Sequence, residues 1–291
     1  MKQQAGHAWS LLPGPIIAHR GASGRLPEHT LEAYAYAHGV GADWIEPDVV
    51  ASRDGVLICL HDVVLERVTN VAEVYPSRKR EDGAWYVWDF SLAELKALNV
   101  QGPARDARGF QLCTLEELLQ LMRHLEKVSG RMTGICPELK RPSAHRAEGL
   151  ALEEPFLAMM DAYGYDHPQS HALVQCFELD CLQRLRKELK STLPLLLLTE
   201  DEALDEDQLR FLGTEVDAIG PHREAIEASD GKPNGGADWV SAVHAAGLKV
   251  VPYTFDDEPA AMRRFLKDYR VDAVFTNYPS DGVKVRSTVW D

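Results

Sequence analysis

The chain has 291 residues, and its 31 Lys and Arg against 45 Asp and Glu give a formal charge of −14. That balance excludes a general attraction to nucleic acid, because phosphate backbones are held by clustered cations and counterion release. With 45% hydrophobic and 26% charged residues the composition is that of a globular protein, of a length that suits one α/β barrel with an insertion.

The amino terminus, from Met1 to Ser10, lacks the apolar run of a secretory signal, and no uninterrupted apolar stretch approaches the ~20 residues that cross a bilayer. The expectation is no stable membrane insertion and a cytoplasmic location for the chain as written, or a periplasmic or secreted one if a leader has been removed. The oligomeric state is not specified. The cysteines form an odd set of five without a Cys-x-x-Cys pair, and Cys59, Cys136 and Cys176 lie in apolar runs. They read as buried thiols, not as a disulfide framework.

Along the chain, apolar strand-like runs alternate with helix-like segments. The first strand is expected at 16–19, followed by 44–50, 134–140, 172–177, 195–199, 216–220, 249–255 and 271–276. Helices are expected over 114–128, 179–189, 237–246 and 259–269, the first with Leu115, Leu118, Leu119, Met122 and Leu125 at helical spacing. Eight such repeats predict a closed parallel barrel, and the order excludes a sandwich. One run breaks the alternation, since 56–60 follows the second strand after five residues, too few for a parallel crossover. It must fold back as a hairpin. With Asp54-Gly55 as a two-residue turn, Arg53 faces Val56 and Asp48 faces His61, while a wider loop shifts the register by about a residue. The segment 68–111, carrying Tyr75, Trp85, Tyr86, Trp88 and Phe90, has the least regular pattern. It reads as an insertion over the barrel mouth within a single domain spanning 1–291, serving either as a lid or as a satellite aromatic core.

Polar groups gather where these strands end. Ile16-Ile17-Ala18 runs into His19-Arg20-Gly21, Trp44-Ile45 into Glu46-Pro47-Asp48, the hairpin into His61-Asp62, and Gly134-Ile135-Cys136-Pro137 into Glu138-Leu139-Lys140. In a parallel barrel all carboxyl ends share one rim, and period-two alternation sets Glu46 with Asp48 and Glu138 with Lys140 on one face. Three carboxylates in one cleft repel each other unless a divalent cation joins them, and an all-oxygen set favours Ca2+ or Mg2+ over zinc. A cation beside Arg20 and Lys140 suits one phosphate group, so the expected partner is a small anionic substrate. His19 and His61 flanking it supply what phosphoester cleavage needs, one proton acceptor and one donor. Gln175, Phe177, Tyr253 and Phe275 occupy strand ends where they can line a pocket, and His222 also follows a strand. His29 and the remaining histidines carry no assigned chemistry, and Ser23 lacks the setting of a hydrolase nucleophile.

The ordered set His19-Arg20-Gly21-Ala22-Ser23-Gly24, Pro27-Glu28-His29-Thr30, Glu46-Pro47-Asp48, His61-Asp62, Pro137-Glu138-Leu139-Lys140 and Phe275-Thr276-Asn277-Tyr278-Pro279 resembles the glycerophosphodiester phosphodiesterase family, in its bacterial periplasmic form. The resemblance implies a TIM (β/α)8 barrel that hydrolyses glycerophosphodiesters to sn-glycerol 3-phosphate and an alcohol with Ca2+ or Mg2+. By motif, it assigns Glu46, Asp48 and Glu138 to metal, His19 and His61 to acid–base catalysis, and Arg20 with Lys140 to phosphate. Gln175, Tyr253 and Phe275 are the candidates for the glycerol pocket. It also implies a route through a cyclic phosphate that water opens, and leaves open which histidine acts first. Cys59, Cys136 and Asn277, the last where aspartate is frequent, depart from the commoner pattern. Two other readings use the same residues: a phospholipase-like enzyme on this barrel, and a noncatalytic calcium-dependent binding protein.

Overall fold

A computed structural model describes residues 14–101, 109–167, 170–200 and 203–289. The amino-terminal residues 1–10 read above, and the 102–108 part of the insertion, lie outside the described residues.

The strands are β1 (Ile16–His19), β2 (Trp44–Glu46), β3 (Asp48–Ala51), β4 (Leu57–Cys59), β5 (Gly134–Ile135), β6 (Glu138–Leu139), β7 (Val174–Cys176), β8 (Leu195–Thr199), β9 (Ala218–Pro221), β10 (Lys249–Val250) and β11 (Val274–Thr276). Two of the expected strands are each split by a proline, Pro47 between β2 and β3 and Pro137 between β5 and β6. Proline has no amide hydrogen to give the ladder, yet its carbonyl still accepts: Glu138 N donates to Pro47 O at 2.9 Å and Gln175 N to Pro137 O at 2.9 Å. Counting each split pair as one strand, parallel neighbours run β11-β1-β2/β3-β5/β6-β7-β8-β9-β10. The ring closes where Asp272 N donates to Val250 O at 2.8 Å and Phe255 N to Phe275 O at 2.8 Å. The fold is the eight-stranded α/β barrel expected from the sequence.

Helices ring the barrel, among them Leu31–Gly39, Leu115–Ser129, Glu206–Glu215, Gly236–Ala245 and Pro279–Val289. Their starts are written locally. Thr30 accepts from Ala33 N, and Thr114 with Glu117 forms a capping box at the helix that 114–128 predicts.

Side-chain parity decides what faces inward. Ile17, Trp44, Cys136, Leu173, Leu196, Leu198, Ala218, Val251, Ala273 and Phe275 form the barrel's interior core, whereas Ile16, Ala18, Ile45 and Leu195 face the helices. Trp44 closes over Gly134, where an added β-carbon would lie 2.4 Å from the indole. Gly134→Ala is therefore expected to destabilise the fold by about 1–3 kcal/mol through overpacking, read as a lower urea midpoint; an unchanged midpoint would contradict this account of the barrel floor.

The hairpin differs from the expected register. Val49 pairs with Cys59, Val50 with Ile58 and Ala51 with Leu57, so Asp48 faces Leu60 and not His61. Ser52 causes the one-residue shift. Its amide donates to Val56 O at 2.9 Å and its hydroxyl accepts from Val56 N at 2.9 Å, which closes a three-residue loop with Gly55 at φ +78°. The hairpin's outer residues Val50, Ile58 and Leu60 then pack with Val68, Val87, Trp88 and Phe90 into a satellite core built from the 68–111 segment. All five cysteines are buried and free, as the sequence predicts for three of them.

Candidate active site

The interior parity that gives an apolar barrel floor gives a polar rim two residues later. Ile17 leads to His19, Trp44 to Glu46 and then Asp48, Cys136 to Glu138 and Lys140, Leu173 to Gln175, and Phe275 to Asn277. Lateral register completes the arrangement: His19 pairs with Glu46, Asp48 with Glu138, and Glu138 with Gln175. Adjacent strands sit about 4.8 Å apart, so neighbouring side chains on this face meet.

Glu46, Asp48 and Glu138 are all buried, and each offers an oxygen within 4.8 Å of the others. Their compensation is incomplete. Lys140 Nζ lies 2.7 Å from Glu138 Oε1 and 3.6 Å from Asp48 Oδ1, and Arg20 Nε is 3.4 Å from Asp48 Oδ2. Glu46 accepts from Arg20 N at 2.7 Å and from Gln175 Nε2 at 3.0 Å. Burial, and then the charge of Asp48, pushes Glu138 up to about 8 and raises Glu46 well above the carboxylate range. Burial acts on Asp48 in the same direction, but Lys140, the His29 hydrogen bond and Arg20 together hold it well below its ordinary value. Asp48 Oδ1 is nevertheless buried without a hydrogen-bond partner. Three converging hard oxygen donors and an orphaned carboxylate oxygen, in a space where the three carboxylates ionise fully only if a positive charge joins them, fit a divalent cation.

The two histidines named from the sequence both border one cleft, and each ring is oriented by a neighbour. His19 Nδ1 lies 2.7 Å from Asn277 Oδ1. Asn277 Nδ2 donates to Asp256 Oδ1 at 2.6 Å, which fixes the amide so that its oxygen faces the ring. His19 must therefore donate from Nδ1, leaving the Nε2 lone pair free to accept. Burial, and then Arg20, lowers its pKa from the ordinary value to about 3, so the ring is neutral. His61 Nδ1 sits 2.6 Å from Asp62 Oδ1, a carboxylate in place of the amide. Arg67 holds Asp62 and also reaches Glu28 at 2.6 Å, and Glu28 lies 3.3 Å from Arg20. One network thus joins the mount of His61 to the guanidinium expected to hold phosphate.

His29 was assigned no chemistry from the sequence, yet its Nε2 lies 2.8 Å from Asp48 Oδ2 and its Nδ1 2.7 Å from Tyr34 Oη. The carboxylate can only accept, so the ring donates from Nε2 and accepts from tyrosine. Its role is to aim Asp48. The one sequence signal was its place in Pro27-Glu28-His29-Thr30; the left-handed turn at φ +57° that swings it inward is not visible in residue types.

The cleft has a volume of about 250 Å3. Arg20, Lys140, Gln175, Tyr253 and Phe275 all border it, as do Phe177 and His222. Gln175 also spends its amide on Glu46, so it steadies a carboxylate as well as lining the wall. None of the described residues of 68–111 lines this wall. No helix of the described residues is long and apolar enough to cross a membrane.

The model of the glycerophosphoryl diester phosphodiesterase family matches residues 19–281. A glycerophosphodiester phosphodiesterase of Haemophilus influenzae is 36% identical over 190 residues, covering 60% of this chain and 52% of that protein. One from Treponema pallidum is 37% identical over 190 residues, covering 60% and 53%. The match thus spans about half the length of these relatives. Among solved structures, an Oleispira antarctica phosphodiesterase in complex with the product sn-glycerol-3-phosphate is similar with a TM-score of 0.75 at 25% identity, covering 97% of this chain and 100% of that one.

Proposed function

We propose that this chain, which belongs to the glycerophosphoryl diester phosphodiesterase family, hydrolyses small glycerophosphodiesters to sn-glycerol 3-phosphate and an alcohol. The observation that carries the reading is the convergence on one cleft of two oriented imidazoles, two cationic side chains and Glu46 with Glu138, two members of a buried carboxylate triad. In this reading the described chain works as one catalytic barrel domain with 68–111 inserted as a brace on the hairpin.

Arg20 and Lys140 would bind the nonbridging phosphate oxygens and orient the diester between the rings. A Ca2+ or Mg2+ ion held by Glu46, Asp48 and Glu138 would supply further positive charge against those oxygens as the transition state forms. His19, with Nε2 unprotonated, takes the proton of the glycerol hydroxyl whose oxygen attacks phosphorus. His61 gives its Nε2 proton to the alkoxide as the phosphorus–oxygen bond to the alcohol breaks. Beside Asp62, His61 carries that proton without an unpaired charge. Water then opens the cyclic phosphate with the roles reversed: His61 accepts the proton of water and His19 returns its own to the glycerol oxygen. The balance is one water consumed and each ring restored.

Purified protein incubated with glycerophosphocholine is expected to release glycerol 3-phosphate, to stop with EDTA, and to resume on adding back Ca2+ or Mg2+. Binding of the diester without product would favour the noncatalytic reading, and turnover of phospholipid vesicles at an equal rate would favour the phospholipase-like one.

A further inference from the structure

A second cavity, of about 510 Å3, opens beside the catalytic cleft. His61, Glu138, Lys140 and Phe177 border both spaces, so the two are contiguous across the acid–base and phosphate-binding groups. A diester whose phosphate rests between Arg20 and Lys140 must send one arm into each. The smaller cleft, walled by Tyr253, Phe275 and Leu198, has room for a three-carbon arm. The larger one lies on the His61 side, where a leaving oxygen would collect its proton.

The charges bordering the larger cavity sort into used and unused. Asp62 is engaged by His61 and Arg67, and Glu138 by Lys140. Glu178 accepts from Ser143 N and Oγ, both at 2.9 Å, which pins the carboxylate without neutralising it. Glu200, exposed at the end of β8, and Arg141 have no ion pair or side-chain hydrogen bond among the described residues. Two uncompensated carboxylates thus stand against one guanidinium, next to the half-exposed ring of Phe177, an aromatic surface that already draws the Lys140 ammonium to 5.7 Å from its centroid. Resting on the phosphodiesterase reading above, we propose that this second cavity holds the departing alcohol and favours alcohols that carry an ammonium group over uncharged ones.

Glu200→Gln removes one of those charges at an exposed position outside the catalytic machinery. It is expected to lower kcat/KM for glycerophosphocholine by about two- to five-fold, the scale of one exposed charge contact. The value for glycerophosphoglycerol should stay within about that assay's scatter, and the choline-specific effect should fade at ~1 M salt, where screening acts within about 3 Å. Arg141→Gln should shift the same ratio the opposite way. Equal losses on both diesters, or no loss on either, would overturn the inference while leaving the activity standing. No turnover of any diester by the unmodified protein would overturn the functional reading itself.

Discussion

Alanine at His19 or at His61 is expected to lower kcat for glycerophosphocholine by about 10²–10⁴-fold, the usual worth of a positioned acid or base. KM should change little, because Arg20 and Lys140, which bind the phosphate in this reading, are untouched. The two losses should not add in the double variant, since both rings serve one transition state. The two positions separate when the leaving alcohol is changed. His19 is held neutral with an amide behind it, whereas His61 is backed by a carboxylate. If His61 is the donor, a diester of p-nitrophenol, whose anion departs without protonation, should recover most of the single-turnover rate of p-nitrophenol release lost in His61→Ala, while opening of the cyclic phosphate stays slow. The same diester should recover little of the rate lost in His19→Ala. Rescue of the His19 variant instead would reverse the roles, and full activity in either single variant would remove that ring from the chemistry.

The assignment of roles rests on neighbours that residue types alone do not reveal. The barrel and the inward set were legible because strand parity is a property of the chain: once Ile17 and Trp44 are interior, His19 and Glu46 follow. The same logic placed Glu138 and Lys140 together. The hairpin register was not legible, because the Ser52 hydroxyl competes for the Val56 amide and adds a residue to the loop. The His29–Asp48 contact was hidden for a different reason. It depends on a loop whose left-handed turn is taken by a non-glycine residue and held by hydrogen bonds from His29 N to Arg20 O at 3.1 Å and from Thr30 Oγ1 to Pro27 O at 2.8 Å. Asn277 stood out as a departure from the family pattern, but the hydrogen bond from its amide to Asp256, which decides its orientation, joins loops after different strands. Arg67 likewise carried no local signal, since Asp62 and Glu28 meet it only once the hairpin has folded back.

Glu138→Gln is expected to abolish metal-dependent activity while leaving the metal-free protein at least as stable as the unsubstituted one. The sign follows from the charge count. Among the described residues only two cations, Arg20 and Lys140, face Glu46, Asp48 and Glu138, and burial, then the charge of Asp48, raises Glu46 and Glu138, so ionising all three without a metal costs free energy. Glutamine keeps the shape and one acceptor oxygen but cannot ionise, so it avoids the cost of a buried third charge and offers a cation no negative one. The 2.7 Å contact between Lys140 and Glu138 is weakened in exchange, leaving the ammonium facing Asp48 at 3.6 Å. A cation that binds only the folded unsubstituted protein should stabilise it by about 2.7 kcal/mol at a hundred times its Kd. The substituted protein offers a neutral amide oxygen in place of a charged ligand and should show little such gain. Melting curves with EDTA and with Ca2+ or Mg2+ test both halves together: a wide gap between the two conditions for the parent, and a narrow one for the variant, starting from an equal or higher metal-free Tm. A variant that melts much lower without metal would mean that the Lys140 pair outweighs the repulsion. One that keeps the full metal-induced shift would mean that Glu138 does not hold the ion.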